Sequence, residues 1–229
     1  MTLLYDRAGA LVRKIYDARI SGPPILDAAR DFPGGTEFVA AWQALRDEAM
    51  VLARSLAEVP RFHEVMESQA DISANDARDW RIFIVKAYGK LIKRNALRCP
   101  RLSALLAAHP EVVSASLSFL APHKYVPPHR GPFRGILRFH LGLSVPLNAD
   151  GVPAAVLTID GVPHRIGDGD SLLWDDTYTH EVDNDSDQMR LALLLDVRRR
   201  DLPLDMEVLS RCLIRIVGAS VALSGQGSM

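Results

Sequence analysis

The sequence predicts a mainly β protein: a double-stranded β-helix, or jelly-roll, core with flanking N-terminal and C-terminal α-helices. Three observations carry that expectation. From Val112 onward, short segments of alternating apolar and polar residues recur between Gly, Pro and Asp punctuation, the pattern of an all-β sandwich or barrel. Residues 1–78 read instead as helical, and apolar residues return at helical spacing after residue 203. The 229 residues are therefore read as one domain, with a helical part at 1–78, a jelly-roll core at about 79–203 and a closing helix at about 204–223.

Taken in order, MTLLYDRAGALVRK has an acid and several bases where the apolar core of a signal peptide would lie, so none is expected. SGPPILDAARDFPGG breaks regular structure with its prolines and glycines. Trp42, Leu45, Ala49, Leu52 and Leu56 then recur at helical spacing, predicting one amphipathic helix entered through Gly34, Gly35 and Thr36. Trp42 is read as a buried anchor on the core face of that helix rather than a ligand platform.

DWRIFIVKAYGK predicts the first strand, with Ile82 and Ile84 on one side and Phe83 and Val85 on the other. LRCPRLSALLAAHP reads as a loop and a short helix, with His109 bonding the last carbonyls. In VVSASLSFLA, Val113, Ala115, Leu117 and Phe119 share one face. Ser114, Ser116 and Ser118 share the other, either an exposed hydroxyl ladder or a cavity wall.

RGILRFHLGLSVP alternates strictly. Leu137, Phe139, Leu141, Leu143 and Val145 point one way, while the opposite face carries Arg138 and His140, a cation and an imidazole where ordinary filler would stand. Upstream, His129 and Gly131 share a face in extended backbone. AAVLTIDGVPHRI with a turn at Asp160-Gly161, SLLWDD, THEVDND and RLALLLDVRR supply further strands. Val208, Leu209, Cys212, Leu213, Ile216, Val217 and Val221 mark the stripe of the closing helix.

Composition narrows the partners. A formal net charge of −1 argues against nucleic acid or an anionic membrane surface as the main partner. No apolar run approaches the ~18 residues of a membrane span. Cys99 and Cys212 make no metal or redox motif and read as reduced thiols of a cytoplasmic protein.

His129, His140 and His180 sit where chemistry needs them, and Arg190 follows His180 by ten residues. The residues alone give two histidines plus an arginine on polar strand faces. Imidazoles suit Fe(II) with open positions for oxygen ligands, and a planar guanidinium pairs a carboxylate through two parallel hydrogen bonds. A cupin's His-x-His, an H-E-x-x-H helix, a phosphate-binding glycine loop and a G-x-S-x-G elbow are all missing. His63, His123 and His164 are read as surface or loop histidines.

PHRGPFRGILRFHLGLSVP, GDGDSLLWDDTYTHEVDND and RLALLLDVRRRDLP together resemble the aspartyl/asparaginyl β-hydroxylase family of Fe(II)/2-oxoglutarate-dependent dioxygenases. The likeness spans Trp80 to about Pro203. It implies that His129 and His180 ligate Fe(II), that Arg190 and Ser118 hold the distal carboxylate of 2-oxoglutarate, and that Arg138 and His140 contact its chelating end. O2 and a small-molecule or carrier-bound substrate are the implied partners.

One position departs from the usual facial triad: Gly131 stands where Asp or Glu would complete it. Three readings stay open, namely a water in that place, a halide in that place as in iron halogenases, or an inactive fold. Glu181, next to His180 on extended backbone, points the wrong way to substitute. Asp175 and Asp176 either orient a ligating imidazole or form an acidic turn. Arg130 and Arg134 either recognise an acidic substrate or are surface charges. The contrasting class is a non-catalytic jelly-roll module that binds a carboxylate ligand.

Overall fold

A computed structural model describes residues 2–223, with side chains placed for residues 9–219. Its strands are β1 (Ile25–Leu26), β2 (Trp80–Ala87), β3 (Lys90–Leu91), β4 (Val112–Leu120), β5 (Tyr125–His129), β6 (Ile136–Ser144), β7 (Ala155–Ile159), β8 (Val162–His164), β9 (Ser171–Trp174), β10 (His180–Asn184) and β11 (Arg190–Arg198). They form a larger sheet ordered β1-β9-β6-β11-β4-β2-β3 and a smaller one ordered β5-β10-β7-β8. From β4 onward the chain crosses repeatedly between the sheets, the jelly-roll connectivity that the alternating segments predict. The turn between β7 and β8 holds Asp160 at φ 50° and Gly161 at φ 78°, the two positive φ values of a tight hairpin turn.

The helices are α1 (Thr2–Arg19), α2 (Ala28–Asp31), α3 (Gly35–Ala40), α4 (Trp42–Ala53), α5 (Phe62–Val65), α6 (Lys93–Arg98), α7 (Pro100–Ala108) and α8 (Leu204–Leu223). The main hydrophobic core is not between the sheets. It lies between the outer face of the larger sheet and α3, α4 and α7, where Phe38, Leu45, Leu52, Leu102 and Leu105 meet Phe83, Leu117, Phe139, Leu141 and Leu193. Each such side chain removed from water contributes roughly 1.5–3 kcal/mol. With stability supplied on that side, the inner face of the larger sheet is left to carry Ser118, Arg138, His140 and Arg190.

Several local expectations are corrected. The N-terminal region is helical, with α3 and α4 building the core, but its Pro/Gly-rich stretch, expected to lack regular structure, contains β1, which pairs with β9. The predicted single helix is two, because Gly35–Ala40 closes before Trp42 opens α4. Trp42 does pack against the main core, as its place on the helix predicts, but is half-buried, with its indole beside Gly169. The stretch read as a loop before Pro100 is α6, and Pro100 starts α7, where its missing N–H is no loss. His109 hydrogen-bonds Glu111 through Nδ1 at 3.1 Å, at the entry to β4, rather than capping carbonyls, with Glu37 of α3 3.3 Å from Nε2.

Alternation in β4 holds from Ala115 to Phe119 and fails at its start. A register shift against β11 puts Val112 on the core face and turns Val113 toward Tyr16 and Ile136, since one extra residue flips every side chain beyond it. On α8 the buried stripe is Met206, Ser210 and Ile214 with Leu209 and Leu213 beside it. Val208 and Ile216 are 52% and 66% exposed. Apolar residues occupy two adjacent stripes of this helix, and docking against Tyr16, whose hydroxyl donates to the Met206 carbonyl at 3.0 Å, selects between them. The side chain of Val221 lies outside the described residues, as do residues 224–229.

Candidate active site

The smaller sheet brings the two candidate ligands together. β5 and β10 are antiparallel neighbours, and their register sets His129 opposite His180, with ring centroids 4.0 Å apart. Each Nδ1 meets a carbonyl two residues back in the chain: His129 meets Pro127 at 2.8 Å and His180 meets Tyr178 at 2.9 Å. A carbonyl only accepts, so each Nδ1 carries the hydrogen and each Nε2 keeps its lone pair. Burial lowers the pKa of both rings, and for His180 the neighbouring His129 lowers it further. Both are therefore neutral, the state a metal requires.

The larger sheet supplies the facing wall. Ser118 from β4, Arg138 and His140 from β6, Trp174 from β9 and Arg190 from β11 line one pocket with the two histidines. The apolar part of the wall is Leu120, Val126, Leu157, Val182 and Leu194. All six residues singled out from the sequence thus converge. The serine face of β4 is a cavity wall where Ser118 stands, at 2% exposure.

The two arginines differ in their surroundings. The Arg138 guanidinium is held by Asp196 at 2.8 Å and Asp176 at 3.2 Å. Arg190 is 5% exposed, and among the described residues no carboxylate lies within ion-pair distance of it. Burial alone pushes its pKa down to about 10, so the guanidinium remains charged at neutral pH. A buried cation without a counter-ion is a standing cost that an incoming carboxylate offsets. His140 is pushed well below the ordinary histidine range by burial and then by Arg190 and Arg138, which keeps it a neutral hydrogen-bonding group.

Gly131 has a structural reason. A Cβ built there would lie 2.1 Å from Asp176 Oδ1 and 2.2 Å from its Cγ. The space that a side chain at 131 needs is filled by a carboxyl group from the β9–β10 connection. Burial pushes that carboxyl up to about 7, against the pull of Arg138, and Oδ1 has no hydrogen-bond partner. Among the described residues no three His, Cys, Asp or Glu side chains form a ready metal cluster, so the protein offers two imidazoles. Gly131→Ala is expected to destabilise the fold by about 1–3 kcal/mol through overpacking. Thermal midpoints of the wild type and the variant read that loss.

Asp175 and Asp176 do not orient the imidazoles, which backbone carbonyls hold instead. Asp175 accepts from Arg199 and from the Thr177 hydroxyl. Arg134 is tied to the Ile20 carbonyl, the Thr177 hydroxyl and Asp17, and Arg130 to the Thr177 carbonyl, so neither stands free to meet an acidic substrate. Glu181 accepts from the Tyr125 hydroxyl on the exposed side, as its position beside His180 predicts. His123 is an exposed partner of Asp187 and His63 bonds Ser73.

Two residues escaped the sequence reading. Trp80, stacked on Phe62 at 3.8 Å, donates its indole N–H to Ser118 Oγ at 3.0 Å. It shares strand parity with Ile82, but only the pairing of β2 with β4 sets that face beside Ser118. His164 is not a surface histidine. It stands on β8 opposite Leu157 and faces inward.

Fold and pocket together define a jelly-roll protein in which two histidines and two arginines converge on one pocket. A family model described as aspartyl/asparaginyl beta-hydroxylase matches residues 39–200, and the chain belongs to that family. It is 32% identical over 179 residues to the ornithine lipid ester-linked acyl 2-hydroxylase of Rhizobium tropici, across 78% of this chain and 62% of that protein. It is 27% identical over 187 residues to the human aspartyl/asparaginyl beta-hydroxylase, across 74% of this chain and 23% of that one. Among solved structures, a predicted oxalate decarboxylase from Thermotoga maritima overlaps 40% of this chain and 71% of its own, with 18% identity and a TM-score of 0.32.

Proposed function

We propose that this chain is an Fe(II)- and 2-oxoglutarate-dependent hydroxylase that inserts oxygen into an unactivated C–H bond. The observation that carries the reading is one pocket holding two neutral, carbonyl-anchored imidazoles and a buried guanidinium with no counter-ion. The donor set fits iron, because imidazole suits it and two protein ligands leave several positions for oxygen donors. When bound, iron would supply activation of O2 coupled to oxidative loss of CO2 from the 2-oxo acid.

The residues of the chain do the rest. His129 and His180 would hold the metal. Arg190 would bind the distal carboxylate of 2-oxoglutarate, with Ser118 beside it. Since Ser118 Oγ already accepts from Trp80, its own O–H is available to donate to an anion. Arg138, kept in place by Asp196 and Asp176, and His140 would meet the end nearer the metal. The apolar wall would exclude water and admit a C–H-rich group.

The substrate is read as an amino-acid-like or carrier-bound small molecule. The Rhizobium tropici relative, named for an acyl chain of an ornithine lipid, extends that class to an acyl group carried on an amino-acid headgroup. Among the described residues no helix is long and apolar enough to cross a membrane. Cys99 and Cys212 are free thiols, which suits the cytoplasm. We read against the halogenase alternative, because Asp176 fills the space that a side chain at position 131 would take. A non-catalytic carboxylate-binding module would explain Arg190, but not two imidazoles with matched tautomers.

The test is an anaerobic titration of the purified protein with Fe(II) and 2-oxoglutarate, following the metal-to-ligand charge-transfer band. A saturable band with one equivalent of each is expected. A folded protein that gives no band moves the assignment to the binding module.

A further inference from the structure

A second, smaller hollow adjoins the main pocket. It shares His140, Leu157 and Arg190 with that pocket and is lined further by Ala155, His164 and Ile166. His164 arrives there because the hairpin register sets it opposite Leu157, so both side chains face the interior of the sandwich. Its Nε2 is buried and has no hydrogen-bond partner. Leaving such a nitrogen unsatisfied costs stability that a ligand can restore. Arg190 reaches the same cavity from the opposite sheet and is also without a carboxylate. Among the described residues these two polar groups, on facing sheets and lining one small space, each lack a partner, and a single acceptor would satisfy both.

We propose that His164 is a further binding residue for the acid cosubstrate, donating from Nε2–H to the carboxylate that Arg190 holds. The proposal rests on reading the main pocket as a 2-oxoglutarate site. A carboxylate offers about four lone-pair directions, and a bidentate guanidinium occupies two of them. Ser118 takes a third from the β4 side, and His164 takes the fourth from the smaller sheet. The two sheets then grip one carboxylate between them.

The experiment compares the full-length wild-type protein with His164→Leu and His164→Gln. Leucine fills the space without a donor. The glutamine amide can place an N–H where Nε2 stood. Dissociation constants for 2-oxoglutarate come from the anaerobic charge-transfer titration, and Fe(II) affinity is measured without cosubstrate. His164→Leu should weaken 2-oxoglutarate about ten-fold, the loss of one hydrogen bond to a charged group, while His164→Gln stays within about three-fold of wild type. Fe(II) affinity should be unchanged in both. Unchanged cosubstrate affinity in His164→Leu overturns the proposal and leaves the pocket reading standing. Equal weakening in both variants also overturns it, by showing a packing role. A wild-type protein with no band overturns this proposal and the reading beneath it. If His164→Leu does not fold, His164→Ala takes its place under the same criteria.

Discussion

His129→Ala should remove Fe(II) binding and with it all iron-dependent turnover. His129 and His180 are the two imidazoles in the pocket whose Nδ1 is committed to a carbonyl, and no further cluster of candidate ligands stands nearby among the described residues. With one of two protein ligands gone, the remaining imidazole has no chelate partner. Loss of groups that merely orient a ligand costs 10–100-fold in metal affinity, so loss of a ligand itself should cost roughly a hundred-fold or more. The check is Fe(II) binding by equilibrium dialysis, with circular dichroism to show that the fold survives. Wild-type iron affinity in a folded His129→Ala protein would remove the metal site from the assignment.

Arg190→Met should change stability and cosubstrate binding in opposite directions. Methionine fills the buried space without the unpaired charge, so the unliganded variant should be more stable by about 1–3 kcal/mol. That corresponds to roughly 2–4 °C in Tm per kcal/mol for a chain of this size. Binding of 2-oxoglutarate should fall by about 3 kcal/mol, roughly a hundred-fold, because the cosubstrate carboxylate would be buried without its cation. Differential scanning calorimetry and the charge-transfer titration read the two effects separately. A variant with lower Tm and unchanged cosubstrate affinity would show that Arg190 serves the fold and not a ligand.

Gains in stability on removing a binding residue are expected wherever a site holds an uncompensated group for its ligand. Arg190 and Arg138 show how such groups are told apart. Both are arginines on inward-facing strand positions of adjacent strands. Asp196, two positions before the end of β11, and Asp176 neutralise Arg138 and leave Arg190 alone.

Much of this was legible in the chain. Strand periodicity gave the jelly-roll class, because side chains in a strand alternate between faces whatever the strand pairs with. It also separated Phe139 and Leu141, which went to the helix-covered core, from Arg138 and His140, which went to the pocket. The spacing of His129, His180 and Arg190 picked out the residues that converge. Local patterns failed where a neighbour decides the outcome. Val113 left its predicted face because a bulge against β11 reset the alternation. The exposed stripe of α8 holds Val208 and Ile216 because Tyr16 docks on the adjacent one.

The sequence by itself determined the element types, the inward histidines and arginines, and the departure at Gly131 from a three-ligand site. Only the tertiary structure decided why that glycine is there, that Asp176 fills its space, that Trp80 holds Ser118, and that His164 faces Arg190 across the sandwich. Each of these joins residues on different strands or loops. Their proximity is fixed by sheet register and sheet-to-sheet packing, which no local periodicity encodes.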